Sequence, residues 1–481
     1  MSTRIITALS LAGLVLYGCP AIRAQSSQQT TDSGMEWTNE VGAKQFPVGT
    51  AVFNVTDFGA TNDGKTLNSK AIQAAIDACA AKGGGIVTFK PGDYLTGSIF
   101  VKAGVTLRID DGVTLLGSQD LADYPEINTR VAGIEMKWPA ALLNIIGQNT
   151  AAITGKGTVH AQGKPFWDKY WTMRREYEAK GLRWIVDYDA KRPRTMLISG
   201  STNVTVKGIT LKQSAFWTVH VLYSKNVTCD GLVIRNNVDG HGPSSDGIDI
   251  DSSSYILVQN CDIDCNDDNI CLKAGRDWDG LRVNRPTEYV LIHDCLAREG
   301  GGLITFGSET SGGFRHILAR GLKANGTSVG IRFKSARTRG GVIEDIHIED
   351  VQMDNVNTAI EVSMNWNPSY SYSTLPKGYD INTVPPYWRT MLHPVEPPER
   401  GIPEFKNVYI SGVKAMNCRT AIRASGTTES IVKNFTLTDV DIKARNAGTI
   451  SYASGWKFQD VKVETPSDSK IRVQNSTDMD L

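Results

Sequence analysis

The stretches NVTVKGI (203–209), NVTCDGL (226–232), YILVQNC (255–261), YVLIHDC (289–295), HILARGL (316–322), DIHIEDV (345–351), NVYISGV (407–413) and NFTLTDV (434–440) repeat one pattern. Each alternates apolar and polar residues with period two, then places Gly, Asn or Asp before another apolar residue. Period two marks a strand with one buried face. Gly, Asn and Asp tolerate the left-handed backbone of a tight bend, so each unit reads as strand, bend, strand. Successive units start 23, 29, 34, 27, 29, 62 and 27 residues apart. These intervals fit single coils of a solenoid, and 62 fits two coils or one coil with an insertion. No fixed leucine framework appears, and a propeller blade needs a longer repeat of about 40–50 residues. The expected fold is all-β: a single-domain parallel β-helix over residues 47–481, right-handed as parallel crossovers are.

A solenoid needs its open strand edges covered. SKAIQAAIDACAAK (69–82) places apolar side chains at 71, 72, 75, 76 and 79, a helical face that Gly83-Gly84-Gly85 terminates. It is the expected N-terminal capping helix. Two excursions interrupt the coils. Residues 160–196 carry Phe166, Trp167, Tyr170, Trp171, Tyr177, Trp184 and Tyr188. Residues 365–403 hold Trp366, Tyr370, Tyr372, Tyr379, Tyr387, Trp388 and eight of the 18 prolines. Long aromatic loops on a rigid scaffold suggest the walls of a cleft. Several of these rings are expected to pack on the flank, leaving Trp366 and Tyr370 as sugar contacts.

Ahead of the solenoid, Arg4 and the apolar run from Ile5 to Leu16 read as an export leader, too short to span a bilayer. Cleavage after Ala24 gives a signal peptide over 1–24. Leu16-Tyr17-Gly18-Cys19 also resembles a lipobox that would acylate Cys19, although Tyr17 departs from that motif. Residues 25–46 read as a polar linker. An exported protein is expected, periplasmic or extracellular or lipid-anchored, with no membrane span and as a monomer. The chain has 481 residues, with Lys+Arg and Asp+Glu both 51. The balanced charge argues against a nucleic-acid partner. Of eight cysteines, seven remain after the leader, an odd number that leaves at least one free thiol. Cys261, Cys265, Cys271 and Cys295 lie in or beside strand patterns and read as small buried apolar residues. No metal site of the zinc type and no cofactor is indicated.

The densest acidic cluster is SSDGIDID (244–251) followed by CNDDNIC (265–271). Asp246 and Asp267 are about one coil apart, and neighbouring rungs stack about 4.8 Å apart. Asp246, Asp267 and Asp268 should therefore share one face. Carboxyls this close cannot all ionise cheaply, so one should keep a proton, as acid–base glycoside hydrolysis requires. Acidic turns also cap backbone or bind Ca²⁺, and Asp249 and Asp251, alternating along a strand, are assigned to structure. Further on, GIRFKSARTRGG (330–341) puts Arg332 and Lys334 on one side of a strand, where they offer cations to a sugar carboxylate. Arg337 and Arg339 read as a solvated patch.

These residues together resemble the pectin-degrading glycoside hydrolases of the polygalacturonase family, family 28. VTDFGATNDGKTLNSKAIQAAIDACAAKGGGIVTFKPGDYLTG (55–97) is similar to the cap and first coils of pectinase β-helices. GKGTVHAQGKPFW (155–167) resembles the family's Gly-rich segment before a Trp. SSDGID matches the Asn-Thr-Asp motif at Asp246, NDD the Asp-Asp motif at Asp267 and Asp268, and RFK the Arg-Ile-Lys motif at Arg332 and Lys334. The resemblance implies hydrolysis of galacturonate linkages with inversion. Asp267 would be the general acid, Asp246 and Asp268 would activate water, and Arg332 and Lys334 would hold the carboxylate. In such enzymes the acid and base sit about 6.5–9.5 Å apart. The family's Gly-His-Gly motif falls at Gly300-Gly301-Gly302, so Gly301 replaces its histidine, and His241 reads as a loop residue. GRDWDGLRVNRPTE (275–288) resembles insertions in bacterial exo-acting relatives; it would close one end of the cleft and bring Arg276, Arg282 or Arg285 to an acidic sugar.

Two other readings stay open on the sequence. A pectate lyase would use the three aspartates as Ca²⁺ ligands and Arg332 as base. A non-catalytic polysaccharide-binding solenoid would need no proton donor at all.

Overall fold

The computed structural model describes residues 35–481, and Trp37–Leu481 forms one body, to which the description is confined. The leader over 1–24, the lipid attachment at Cys19 and residues 25–34 of the expected linker lie outside the described residues. The linker was expected to run to 46. From Gly42 onward, however, its backbone bonds to the solenoid: Gly42 N donates to Tyr255 O, Ala43 N to Thr228 Oγ1 and Lys44 N to Asn203 Oδ1. These donors find partners on three successive coils, so the segment lies along the flank rather than hanging free.

The period-two segments become strands, and each pairs in parallel with its counterpart one coil away. Val204, Val227, Ile256, Val290, Ile317, Ile346, Val408 and Phe435 are partners in succession. On a second face Met196, Val219, Ile248, Ile270, Ile304, Ile331, Ile360 and Ile422 do the same. Both columns are buried and belong to one continuous core. The architecture is a right-handed parallel β-helix. Among the described residues, no helix is long and apolar enough to cross a membrane.

Both ends of each repeat bend through the left-handed region. The bend residues Gly208, Gly231, Asn260, Asp294, Gly321, Asp350, Gly412 and Asp439 have φ between 52° and 78°, as their identities suggest. The first residues, Asn203, Asn226, Tyr255, Tyr289, His316, Asp345, Asn407 and Asn434, lie at φ 54–57°. Tyr is strained there. The rings stack from coil to coil at 4.7 Å, Tyr255 on Tyr289 and Tyr289 on His316, which offsets that strain.

The capping helix spans Ser69–Ala81 and buries Ile72, Ala75, Ile76 and Cys79. The 62-residue interval is one coil, with strands Ile346–Asp354 and Thr358–Ser363, followed by the 365–403 excursion. That excursion contains the short helices Pro368–Ser371 and Pro386–Leu392. The earlier one holds helices Lys164–Ala179 and Val186–Asp189. A third wall, absent from the sequence reading, is an antiparallel hairpin of Glu126–Val131 with Ile134–Pro139. Its tip needs Gly133, at φ 86°, because a Cβ there would lie 2.4 Å from Arg276 Cβ. One apolar cluster joins all three through Ile134, Trp138, Trp184, Ile185 and Trp388. The Trp184 indole also donates to Thr374 O across the two excursions.

All seven described cysteines are free and buried. The interior is completed by an aromatic stack, with Phe306 on Phe333 at 4.5 Å and Phe435 on Trp456 at 4.8 Å. Phe333 is fully buried and also packs edge-on against Phe405 and Phe435. Phe333→Ala should destabilise the solenoid by about 3–5 kcal/mol in denaturant unfolding. A loss below about 1 kcal/mol would mean that neighbouring coils collapse into the gap.

Candidate active site

Residues of strand 248–251 pair with 270–273 one coil on, and the following coils contribute 302–306 and 329–334. The outward positions of these strands form the floor of a pocket. Gly247 N donates to Asp268 O at 2.9 Å, which sets Asp246 and Asp268 side by side just before their strands begin. Asp246, Asp267, Asp268, Lys334, Trp366 and Tyr370 line the same pocket. Arg332 reaches it through Asp268, at 3.4 Å. The three aspartates, Arg332, Lys334, Trp366 and Tyr370 are therefore in one place.

The three aspartates differ in what holds them. Asp268 accepts from Lys334 Nζ at 2.7 Å, Thr305 Oγ1 at 2.8 Å and Arg332 Nη1 at 3.4 Å. Burial alone would raise its pKa, but Lys334, Arg332 and Lys273 outweigh burial and hold it well below the usual carboxylate range. Asp267 has no cation in contact, and its Oδ1 accepts only the Asp268 amide, at 3.0 Å. Burial and then the Asp268 charge raise it. Burial also pushes Asp246 well up, reinforced by Asp249 and Asp267.

Beneath them lie groups that sequence reasoning did not place in the site. The Lys273 ammonium sits 3.4 Å from each of Asp246 Oδ2, Asp249 Oδ1 and Glu309 Oε2, and 4.5 Å over the Trp217 ring. Burial would lower this lysine, but the surrounding carboxyls, Glu309 foremost, keep it charged. Asp249, assigned to structure, is buried within this cluster, and neither of its oxygens has a hydrogen-bond donor. Burial, against the pull of Lys273, raises its pKa to about 8. Five carboxyls thus face three cations, and protonation relieves the excess. The outward parity of Lys273, two residues after Cys271 on a strand, was available in the sequence. Glu309, in the loop after its strand, carried no such signal.

Gly301 fills the place where the resemblance leads to a histidine. A Cβ there would lie 3.0 Å from Asp268 Oδ1 and 3.3 Å from Asp267 Oδ1. The position borders both carboxylates, and here it leaves them open. His241 does not take its place, because it is exposed and bonds Asn237 Oδ1 at 3.2 Å.

The arginines of 275–288 do not face the pocket. Arg276 is fully buried and holds up the wall, donating to Tyr370 O, Ser371 O and Tyr188 Oη. Arg282 pairs with Glu135 and Asp279. Arg285 lies 5.3 Å over the Tyr223 ring. These guanidiniums are used up in tying the inserted helix Asp277–Val283 and the hairpin to the walls. Arg339, read as solvated, is buried against Asp277 for the same reason, whereas Arg337 is exposed and pairs with Glu429. The cation that does line the pocket from a wall is Arg183, paired with Asp187 at 2.6 Å. The Tyr370 ring is occupied by Arg183 and Arg276, at 5.0 and 4.6 Å, so only its edge is left for a sugar. Trp366 packs against the Lys334 ammonium at 4.4 Å.

The group of metal-capable side chains among the described residues is Asp246, Asp268 and Cys271. A thiol in that set is foreign to the all-oxygen shell of Ca²⁺. Asp268 is already committed to Lys334.

Residues 90–384 match the model of glycosyl hydrolases family 28. A probable polygalacturonase of Vitis vinifera is 30% identical over 339 residues, 68% of this chain and 66% of that protein. The exo-poly-alpha-D-galacturonosidase of Dickeya chrysanthemi is 29% identical over 342 residues, 63% of this chain and 55% of its own length. The match thus spans no more than about two thirds of these curated relatives. A hyperthermoactive exopolygalacturonase structure from Thermotoga maritima superposes with a TM-score of 0.75 at 26% identity, covering 89% of this chain and 95% of that one.

The Asp249 carboxyl gives this site a stability signature. Its folded pKa, about 8, lies above the ordinary Asp value, so between these the native state binds the extra proton. Stability from this group is present at low pH and is lost as pH rises towards 8. Asp249→Asn keeps a neutral group there, so its melting temperature should fall less than wild type's between pH 5 and pH 8. Parallel melting curves for the two proteins would show that Asp249 is ionised throughout.

Proposed function

The chain belongs to glycosyl hydrolase family 28, and from that premise we propose that it is an exo-acting hydrolase of α-galacturonate linkages in pectic chains, working with inversion. The observation that carries this reading is the contrast between Asp267 and Asp268. Adjacent in sequence, one is raised by burial and lacks a contacting cation, while the other is pinned as an anion by Lys334 and Arg332. A proton donor next to a fixed anion is the pairing that single-displacement hydrolysis calls for.

In this mechanism Asp267 gives its proton to the glycosidic oxygen as the C1–O bond breaks. Water attacks C1 from the opposite face and passes its proton to Asp246 or Asp268. Asp246 suits this role when ionised, since the surroundings that raise its pKa also raise its basicity. Lys273, 3.4 Å from Asp246 Oδ2, steadies the carboxylate of Asp246 until it takes that proton. Arg332 and Lys334 hold the sugar carboxylate. Gly301 leaves more room over the carboxyls than a histidine would.

Exo action is supported by the walls. The hairpin, the first excursion and the second meet over the site through one apolar cluster, and Ala132, Asp187 and Tyr370 from these three elements all line the pocket. A pocket closed on one side takes a chain end rather than a chain middle. Export to the periplasm or outside the cell, action as a monomer and independence from added metal complete the proposal.

Incubation with polygalacturonate and oligogalacturonides, with products read by mass and anomeric configuration, tests it. Release of saturated monogalacturonate with inverted configuration is expected, insensitive to chelator. Asp267→Asn should lower kcat by about 10²–10⁴-fold. Unsaturated products lost on chelation would establish the lyase instead, and a spread of long products would establish endo action.

A further inference from the structure

The outward column that carries Arg332 does not stop at the pocket. Arg332 pairs in register with Glu361, Glu361 with Arg423, Arg423 with Thr449 and Thr449 with Arg472. Arginine thus recurs at every second rung, with a spacing of about 10 Å for rungs about 4.8 Å apart. Glu361, between the first two, has a side chain only 5% exposed and pairs with both Arg332 and Arg423. One carboxylate shared by two guanidiniums leaves the column positive. The Arg423 side chain is 61% exposed. Arg472 is exposed too, with no ion pair to any described residue.

The neighbouring outward column has a complementary character. Lys334 is followed by Ser363, Ser425, Ser451 and Gln474, each in register with the last. Ser425 and Gln474 are exposed, and Ser363 and Ser451 half-buried. A row of cations therefore runs beside a row of hydroxyl and amide groups, with no acid in the second row. Both rows lead from the catalytic floor towards the carboxy-terminal coils.

We propose that these two rows are a binding track for the rest of the polyuronide chain, with Arg423 and Arg472 taking its carboxylates and Ser425 and Ser451 its hydroxyls. The proposal rests on the galacturonidase reading of the pocket. A pyranoside unit is about as long as a rung is thick, so carboxylates two units apart meet arginines two rungs apart. With its end sugar in the pocket, the chain leaves along the rows that carry Arg423 and Arg472. The track gives the enzyme a preference for long, unesterified substrates over short ones.

The test compares wild type with Arg423→Gln/Arg472→Gln, two exposed positions whose replacement leaves the core untouched. KM is measured on digalacturonate and on long polygalacturonate, and polymer affinity separately by calorimetry under conditions of slow turnover. The polymer KM and Kd are expected to rise about threefold to tenfold in the double variant and to rise less in Arg472→Gln alone, which leaves the Glu361–Arg332 pair intact and keeps kcat and the digalacturonate KM unchanged. The difference should shrink at high salt, and Arg423→Lys/Arg472→Lys should recover most of it. Equal polymer affinity in wild type and variant overturns the track. Weakened polymer binding without any galacturonate release from wild type keeps the track and overturns the hydrolase reading.

Discussion

Parallel pairing in strict register is the constraint on which everything else here rests. Each coil must return its strand to the same height relative to the coil before, so a residue's neighbours along the axis are set by its place in the repeat. Inward, this stacks Ile on Ile and Phe on Phe into a continuous core. Outward, it stacks whatever the strand alternation presents, including charge. The left-handed bends that make the return possible are imposed even where the chain supplies Tyr255 and Tyr289. Their ring stacking, which continues onto His316, shows the solenoid recruiting side chains to support a backbone that local preference opposes.

The same constraint creates the chemistry. Stacking acidic residues on successive rungs brings Asp246, Asp249, Asp267 and Asp268 within reach of one another, an arrangement unfavourable in isolation. The fold manages it with three cations at two heights: Lys273 on the strand 270–273, and Arg332 with Lys334 on the strand 329–334 two coils on. Their placement is uneven. Asp268 is fully compensated, whereas Asp267 is left to its burial. This asymmetry, rather than the mere presence of carboxyls, separates a proton donor from an anion.

What could be read from sequence follows from the same geometry. Coil-to-coil positions were legible because period-two alternation and bend residues are local signals. Hence the strands, the capping helix, and the meeting of Asp246, Asp267 and Asp268 with Arg332 and Lys334 were within reach. The walls were not. The hairpin at 126–139 pairs within itself, outside the repeat, and Arg276 and Arg339 look like surface cations until their buried partners Tyr370, Ser371 and Asp277 are known. Asp249, assigned to structure, is buried beneath the pocket carboxyls beside Lys273, which alternation alone could not show. Alternation places it outward correctly, but whether outward means solvent or pocket floor depends on loops from elsewhere in the chain.

The walls and the floor therefore divide the work of selecting a substrate. The floor is periodic and acts on a polymer as a polymer, matching repeat to repeat. The walls are aperiodic and can act only at one place, where they end the groove. An aperiodic wall on a periodic floor gives the cleft a polarity that neither has alone, and the proposed exo action follows from it: one end of a chain would stop over the carboxyls while the remainder stays in register with the solenoid. Gly301 fits this division. Where direction is set by the walls and the carboxylate is held by Arg332 and Lys334, a bulky ring over Asp267 is not needed to position the sugar, and the space can go to the sugar itself.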